Sequence, residues 1–324
     1  MPKISSDLNG PTMGTRWSVK CDFAPDREPE PLQAALQAAV DRVDAQMSPW
    51  KSDSDLMRLN GAPVDSWVEL PAEILDVLAR ALEISRLSAG AFDPAVGALV
   101  DAWGFGAARD EPDARAIRVA GDTSRCPAHE SLELDLDAGR ACKRARLRID
   151  LCGIAKGYAV DCMVDVLQHY DIHHALVALD GELRALGSQV DGQPWAVALE
   201  SPEPGRRAVR GVIELQDLAV ATSGDYRRFM QVGDARLAHT MDGRRAAPVR
   251  NDVASVTVLA RTCMDADAWA TALLVVGPGD GPVMAHRLGL EALWLLRQEG
   301  ALVEVGMGRF SSAAHSGVRE ASIA

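Results

Sequence analysis

Two stretches of this 324-residue chain combine residue types that can hold a phosphate and a hard cation. In the first, Asp150-Leu151-Cys152-Gly153-Ile154-Ala155-Lys156-Gly157, the alternation of Leu147, Ile149 and Leu151 predicts a strand and Gly153 opens a helix. Free backbone N–H groups at a helix start, a lysine one turn in and a carboxylate at the strand end form a physical recipe for binding phosphate. The GxxxxGK(S/T) spacing is absent, which disfavours a Walker-type ATPase, and a glycine turn with a surface lysine is the plainer reading of the same residues. In the second stretch, Asp267 and Thr271 lie four residues apart on a predicted helix and share one face. A carboxylate and a hydroxyl so placed suit magnesium better than zinc, although an ordinary helix surface has the same look until partners are found elsewhere. The polar runs Ala221-Thr222-Ser223-Gly224-Asp225-Tyr226-Arg227 and His239-Thr240-Met241-Asp242 follow predicted strands, where sites commonly sit.

The elements that must position these residues are legible as periodicity. Leu32, Leu36, Ala39, Val40, Val43 and Met47 predict a helix over 31–47, ended by Pro49. Ile74, Leu75, Leu78, Leu82 and Ser85 predict another over 72–87, stopped by Gly90. Residues 107–142 are polar and read as loop, after which Ala155, Ala159, Cys162 and Val166 mark one helix face. Strands are expected at 175–179, 196–199, 212–215, 253–259, 292–296 and 302–305. Thr262 caps a helix over 263–276, with Asp265 as capping-box partner and Gly277-Pro278-Gly279 as its stop; a further helix is expected near 283–288. Strands and helices interleave without a repeat, giving one α+β unit with mixed sheets flanked by helices. Residues 1–12 and 311–324 are expected to be tails around a domain spanning 13–310.

Composition narrows the function classes. A net charge of −12 and a hydrophobic fraction of 48% fit a large enzyme core and not a nucleic-acid surface, for which the Arg244-Arg245 pair and the run Lys143, Arg144, Arg146, Arg148 are too little. Six cysteines without a CxxC pair imply reduced, mostly buried thiols and no zinc cluster. No apolar run reaches the roughly 20 residues of a membrane helix, and residues 1–11 lack the apolar core of a secretory signal, so a cytoplasmic location is expected for the chain as given.

These stretches together resemble the ApbE family, the FAD:protein FMN transferases. The likeness runs through Met13-Gly14-Thr15, Met47-Ser48-Pro49-Trp50, Asp53-Ser54-Asp55, Leu59-Asn60, Gly90-Ala91-Phe92-Asp93-Pro94, Trp103-Gly104-Phe105-Gly106, Gly153-Ile154-Ala155-Lys156-Gly157-Tyr158-Ala159-Val160-Asp161, Thr222-Ser223-Gly224-Asp225-Tyr226 and Ala266-Asp267-Ala268-Trp269-Ala270-Thr271-Ala272-Leu273. The resemblance implies FAD in a cleft between two halves of the domain, contacted by Met13, Trp50, Ala91, Phe92, Asp93, Asp150, Lys156 and Met241. It implies a Mg2+ ion held by Asp267, Thr271 and the backbone carbonyl of Gly153. The implied reaction moves FMN onto a Thr or Ser hydroxyl of an acceptor protein and releases AMP, with His239 as general base. The alternatives are a Mg2+-dependent FAD pyrophosphatase and a non-catalytic flavin binder. The chain departs from the family at Asp242-Gly243-Arg244-Arg245-Ala246, where Asp-Pro-Arg-Thr-Gly is common, at Cys152, where glycine is usual, and at Asp180-Gly181-Glu182, in place of a Gly-Gly-Asp-like turn. Many members of the family are exported lipoproteins.

Overall fold

Helices form where the apolar period is three to four. They are α1 (Glu30–Met47), α2 (Asp55–Gly61), α3 (Ala72–Leu87), α4 (Gly97–Ala102), α5 (Ala114–Asp122), α6 (Ala128–Ser131), α7 (Ala155–His169) and α8 (Cys263–Leu288). The computed structural model describes residues 4–23, 28–122, 125–202, 208–226, 229–232, 235–311 and 318–319. In α1 and α3 every apolar residue selected by the period is buried. The α3 stop is built from two left-handed residues, Ala89 and Gly90, with Gly90 N donating to Ser85 O at 2.8 Å.

The strands in chain order are β1 (Ile4–Thr12), β2 (Thr15–Phe23), β3 (Trp67–Glu69), β4 (Leu132–Asp135), β5 (Arg140–Lys143) and β6 (Ala175–Leu179). They continue as β7 (Glu182–Leu186), β8 (Trp195–Glu200), β9 (Val209–Leu215), β10 (Ala219–Gly224), β11 (Phe229–Val232) and β12 (Ala235–Ala238). The last six are β13 (Met241–Asp242), β14 (Ala247–Pro248), β15 (Val253–Ala260), β16 (Glu291–Gln298), β17 (Ala301–Gly306) and β18 (Val318–Arg319).

One eight-stranded sheet, ordered β1-β2-β6-β7-β10-β15-β16-β17, organises the domain. Every pairing in it is antiparallel, so the α+β class holds while the mixing lies between helices and strands and not in strand direction. Its central strands are buried on both faces. Along β16, Ala292, Trp294 and Leu296 join the core under α1, α7 and α8, while Leu293 and Leu295 join a second core under β8 and β9. That two-sided burial explains why these strands read as continuous apolar runs.

Several expectations are corrected. Residues 4–12 form edge strand β1, paired with β2 from Ile4↔Phe23 to Thr12↔Thr15, and are not a tail. In the expected C-terminal tail, Val318–Arg319 pairs with β9. The polar stretch 107–142 carries α5, α6, β4 and β5. Residues 147–151 do not enter a ladder, because other groups take their backbone bonds: the Asn60 amide brackets Ile149 (2.7 and 2.9 Å), and Asp150 N donates to Pro94 O. A single parallel bridge, Val96↔Arg148, is what remains of the strand. The buried stripe of α7 runs through Ala159, Val160, Met163, Val164 and Leu167, leaving Cys162 and Val166 at its margin. The stop expected at Gly277 is kept: its non-helical backbone (φ 83°) breaks α8 into two helical segments, the second of which contains the expected helix near 283–288.

The basic run Lys143–Arg148 is largely paired within the protein. Lys143 is buried with Nζ on Asn60 O, Arg144 pairs with Asp65 and Glu133, and Arg148 pairs with Asp101. Of the cysteines, Cys21, Cys142 and Cys263 are buried, Cys162 is intermediate, and Cys126 and Cys152 are exposed; none forms a disulfide. Among the described residues, no helix is long and apolar enough to cross a membrane.

Candidate cofactor and metal site

Helices α7 and α8 meet at a glycine. A Cβ added at Gly157 would lie 2.3 Å from Cys263 O and 2.6 Å from its carbonyl carbon, so only glycine permits this approach. The same closeness lets Gly157 N donate to Asp267 Oδ2 at 3.1 Å. Four residues back, just ahead of α7, a Cβ at Gly153 would lie 3.1 Å from Thr271 Oγ1. The two chain segments therefore match in rungs of four residues, Gly157 with Asp267 and Gly153 with Thr271, so that Gly153, Asp267 and Thr271 lie on facing stretches of chain. Ser223, near the end of β10, adds a hydroxyl 3.1 Å from Thr271 Oγ1; it belongs to the Thr222–Tyr226 motif, but spacing alone does not mark it as a site residue.

The charge at this junction is unbalanced. Lys156 Nζ lies 2.7 Å from Glu182 Oε1 and 3.7 Å from Asp180 Oδ2. Its pKa is raised: burial alone would lower it, but Glu182 and Asp267 outweigh that. Asp267 is buried and its carboxyl is pushed up to about 7, first by burial and then by Glu182, against the pull of Lys156 and the Gly157 N–H. Glu182 is also raised, chiefly by burial, and its Oε2 is buried without a hydrogen-bond partner. Buried acids crowd one ammonium, and a divalent cation beside Asp267 would relieve the excess negative charge. One carboxylate, one hydroxyl and one carbonyl leave half of an octahedral shell to phosphate and water, which fits Mg2+. Nothing in the sequence pattern marks Glu182 as a site residue, because its role depends on β7 lying against α7.

This imbalance has a sign that can be measured. Folded Asp267 binds its proton more tightly than the unfolded chain does, so between the ordinary carboxylate range and about pH 7 the folded state holds more protons. Metal-free protein is expected to lose stability as pH rises through that window, by at most about 1.4 kcal/mol per pH unit for each such group. Thermal melts in chelator should show the slope, and saturating Mg2+ should flatten it. A metal-free stability that rises from about pH 5 to 7 would contradict the buried charge excess.

The remaining expected contacts fall into two groups. Phe92 is buried with its ring edge 3.4 Å from the Gly153 Cβ position, and Ala91 packs with Val249 and Val275. Asp93 is spent internally: Oδ1 accepts from Ala95 N and Ala128 N, both at 3.0 Å, and Oδ2 lies 3.2 Å from Arg125 Nη2. It shapes the turn, which leaves the backbone of 91–93 to meet a ligand. Asp150 Oδ1 accepts from Cys152 N at 2.7 Å and so braces the turn before α7. Met241 is buried beside Leu99 and Ala102, and the ring of His239 meets Phe105 edge-on at 6.4 Å. Trp50 is 54% exposed after α1, and Met13 sits at positive φ in the β1–β2 turn. Met13 packs against the main core, which includes Phe92 and Ile154, while among the described contacts none joins Trp50 to the cluster.

The loop that departs from the family pattern closes as the hairpin β13–β14. Asp242 accepts from the Arg244 backbone and guanidinium, and a Cβ at Gly243 would lie 2.9 Å from Asp93 Oδ2, so the hairpin abuts the 91–93 turn. A separate hollow lined by Asp252, Arg297 and Glu299 lies at β16–β17, where Arg297 is already held by both oxygens of Asp225.

Comparison with known proteins identifies the family of this fold. The chain is 34% identical to an FAD:protein FMN transferase of Vibrio cholerae over 314 residues, covering 95% of this chain and 92% of the relative. It is 32% identical to one from Haemophilus influenzae, covering 94% and 90%. Among solved structures, the flavin transferase ApbE from Vibrio cholerae superposes with a TM-score of 0.85 at 32% identity, over 98% of this chain and all of that one. The apo flavinyl transferase ApbE of Pseudomonas stutzeri gives 0.83 at 33%, over 94% and 95%. With the ApbE family model matching residues 13–294, the chain belongs to the ApbE family.

Proposed function

We propose that this protein cleaves FAD at its pyrophosphate and transfers FMN to a Thr or Ser hydroxyl of an acceptor protein, releasing AMP. The observation that carries the reading is the pairing of Gly153 with Thr271 and of Gly157 with Asp267 where α7 starts, in a family whose curated relatives are named for this transfer. Asp267, Thr271 and the Gly153 carbonyl would hold Mg2+. When bound, Mg2+ supplies Lewis-acid neutralisation of the pyrophosphate charge.

The chain's own residues do the positioning. At the start of α7 the Lys156 ammonium faces the phosphates, with Glu182 keeping it in place, while Gly157 N is spent on Asp267. The buried turn Ala91-Phe92-Asp93, braced by Arg125, and Asp150, Met241, Met13 and Trp50 contact the rest of FAD. The acceptor oxygen attacks the flavin-side phosphorus in line with the departing AMP, and His239 takes the acceptor proton. Phe105 supports the imidazole from one edge.

Incubation with FAD, Mg2+ and an acceptor domain, followed by acceptor mass and AMP release, tests the proposal. Covalent FMN on the acceptor supports it. AMP with free FMN and no adduct would mean a pyrophosphatase, and bound flavin with neither product a binding protein. His239→Ala is expected to keep FAD binding while slowing transfer by about 10²–10⁴-fold. Unchanged transfer would remove His239 as the base.

A further inference from the structure

The match between α7 and α8 has a third rung. Asp161 lies four residues beyond Gly157 on α7, and Cys263 lies four residues before Asp267 on α8. Asp161 Oδ1 accepts from Cys263 N and Oδ2 from Met264 N, both at 2.9 Å, and Arg184 Nη1 reaches Oδ1 at 2.6 Å. The start of a helix leaves its first N–H groups without partners inside the helix. Here Thr262 Oγ1 takes Asp265 N, while the N–H groups of Cys263 and Met264 go to a carboxylate a hundred residues away on another helix. Helix α7 thus receives two N–H donors from α8 at Asp161, and returns one from Gly157 N to Asp267. The exchange is reciprocal and fixes the sliding register of the two helices. Ladder geometry puts Asp161 eight residues from Gly153, roughly 12 Å along the axis, too far to be a ligand itself.

Resting on the proposed metal site, we infer that Asp161 is a positioning residue for Mg2+: it holds the start of α8 in the register that brings Asp267 and Thr271 to Gly153. A mere helix cap would stabilise the fold and leave metal affinity alone. A register lock ties the two together, because tilting or sliding α8 at its first residue moves Asp267 one turn later.

Arg184 supplies the control. It touches the same carboxylate but neither N–H group of α8, so Arg184→Gln weakens the buried pair without freeing the helix start. The test titrates Mg2+ into the full-length protein with FAD, following flavin fluorescence, and pairs each titration with a thermal melt. Asp161→Asn is expected to raise the Mg2+ half-saturation at least tenfold. Arg184→Gln, at a similar or larger loss of thermal stability, is expected to stay within about twofold of wild type. If Asp161→Asn does not accumulate folded, Cys263→Pro removes the N–H that Oδ1 accepts at a position where proline is tolerated, and it should raise the half-saturation several-fold. Half-saturation unmoved in Asp161→Asn, or moved equally by Arg184→Gln, would overturn the positioning role while leaving the metal site standing. A wild type whose flavin signal ignores Mg2+ would overturn both.

Discussion

Asp267→Ala should abolish flavin transfer, by about three orders of magnitude, while leaving the protein folded and nearly as stable as wild type. The two halves of that expectation have different causes. Activity falls because the substitution removes the one carboxylate of the ligand set, which the Thr271 hydroxyl and the Gly153 carbonyl cannot replace. Stability changes little because two effects oppose each other. Gly157 N loses its acceptor, at a cost of about 1–3 kcal/mol, but a buried carboxyl pushed up to about 7 leaves the core with one acid fewer around Lys156. Mg2+-dependent FAD binding should be lost together with transfer. If binding and transfer both persist in Asp267→Ala, the metal is held elsewhere.

Gly157→Ala is the second large effect and damages both properties. The new methyl would meet Cys263 O at 2.3 Å, Cys263 C at 2.6 Å and Met264 Cα at 2.8 Å. All three are backbone atoms, so no side chain can swing aside and the helices must part. Overpacking of this kind costs about 1–3 kcal/mol, and a displacement of about 1 Å at Asp267 is enough for a hundredfold loss of rate. Gly61→Ala is the matched control, because nothing lies within 4 Å of its added Cβ, and it should behave as wild type in melts and transfer assays. Equal behaviour of the two alanine variants would show that the close approach of α7 and α8 does not hold the site.

The legible parts of the sequence were those with a local cause. The α1 and α3 stripes, the Thr262 cap and strand β6 follow from spacing alone, and the structure keeps their bounds to within a residue. The Asp265 half of the capping box did not form, because its carboxylate is taken by Arg80 at 2.6 Å. Residues 147–151 alternate like a strand, yet a side-chain amide from Asn60 occupies the place of a neighbouring strand. Tertiary partners of that kind leave no periodic trace.

The site was legible in the same uneven way. Asp267 and Thr271 shared a helix face in the sequence, but what sets them apart from any exposed pair is Gly153 and Gly157, more than a hundred residues earlier. Only the family resemblance joined them. Lys156 stood out as a phosphate ligand, whereas its salt bridge to Glu182 depends on how β7 lies against α7, and Asp93 stood out as a contact although its oxygens are bound within the protein.

The claim on which the rest depends is that one junction of α7 and α8 holds both the cation and the FAD pyrophosphate. A crystal of the protein grown with FAD and Mn2+, the latter in place of Mg2+, tests it through the anomalous signal of the metal. A single strong peak is expected beside Asp267, Thr271 and the Gly153 carbonyl, in contact with the flavin-side phosphate. A peak elsewhere, or ordered FAD with no metal between it and Asp267, would contradict it.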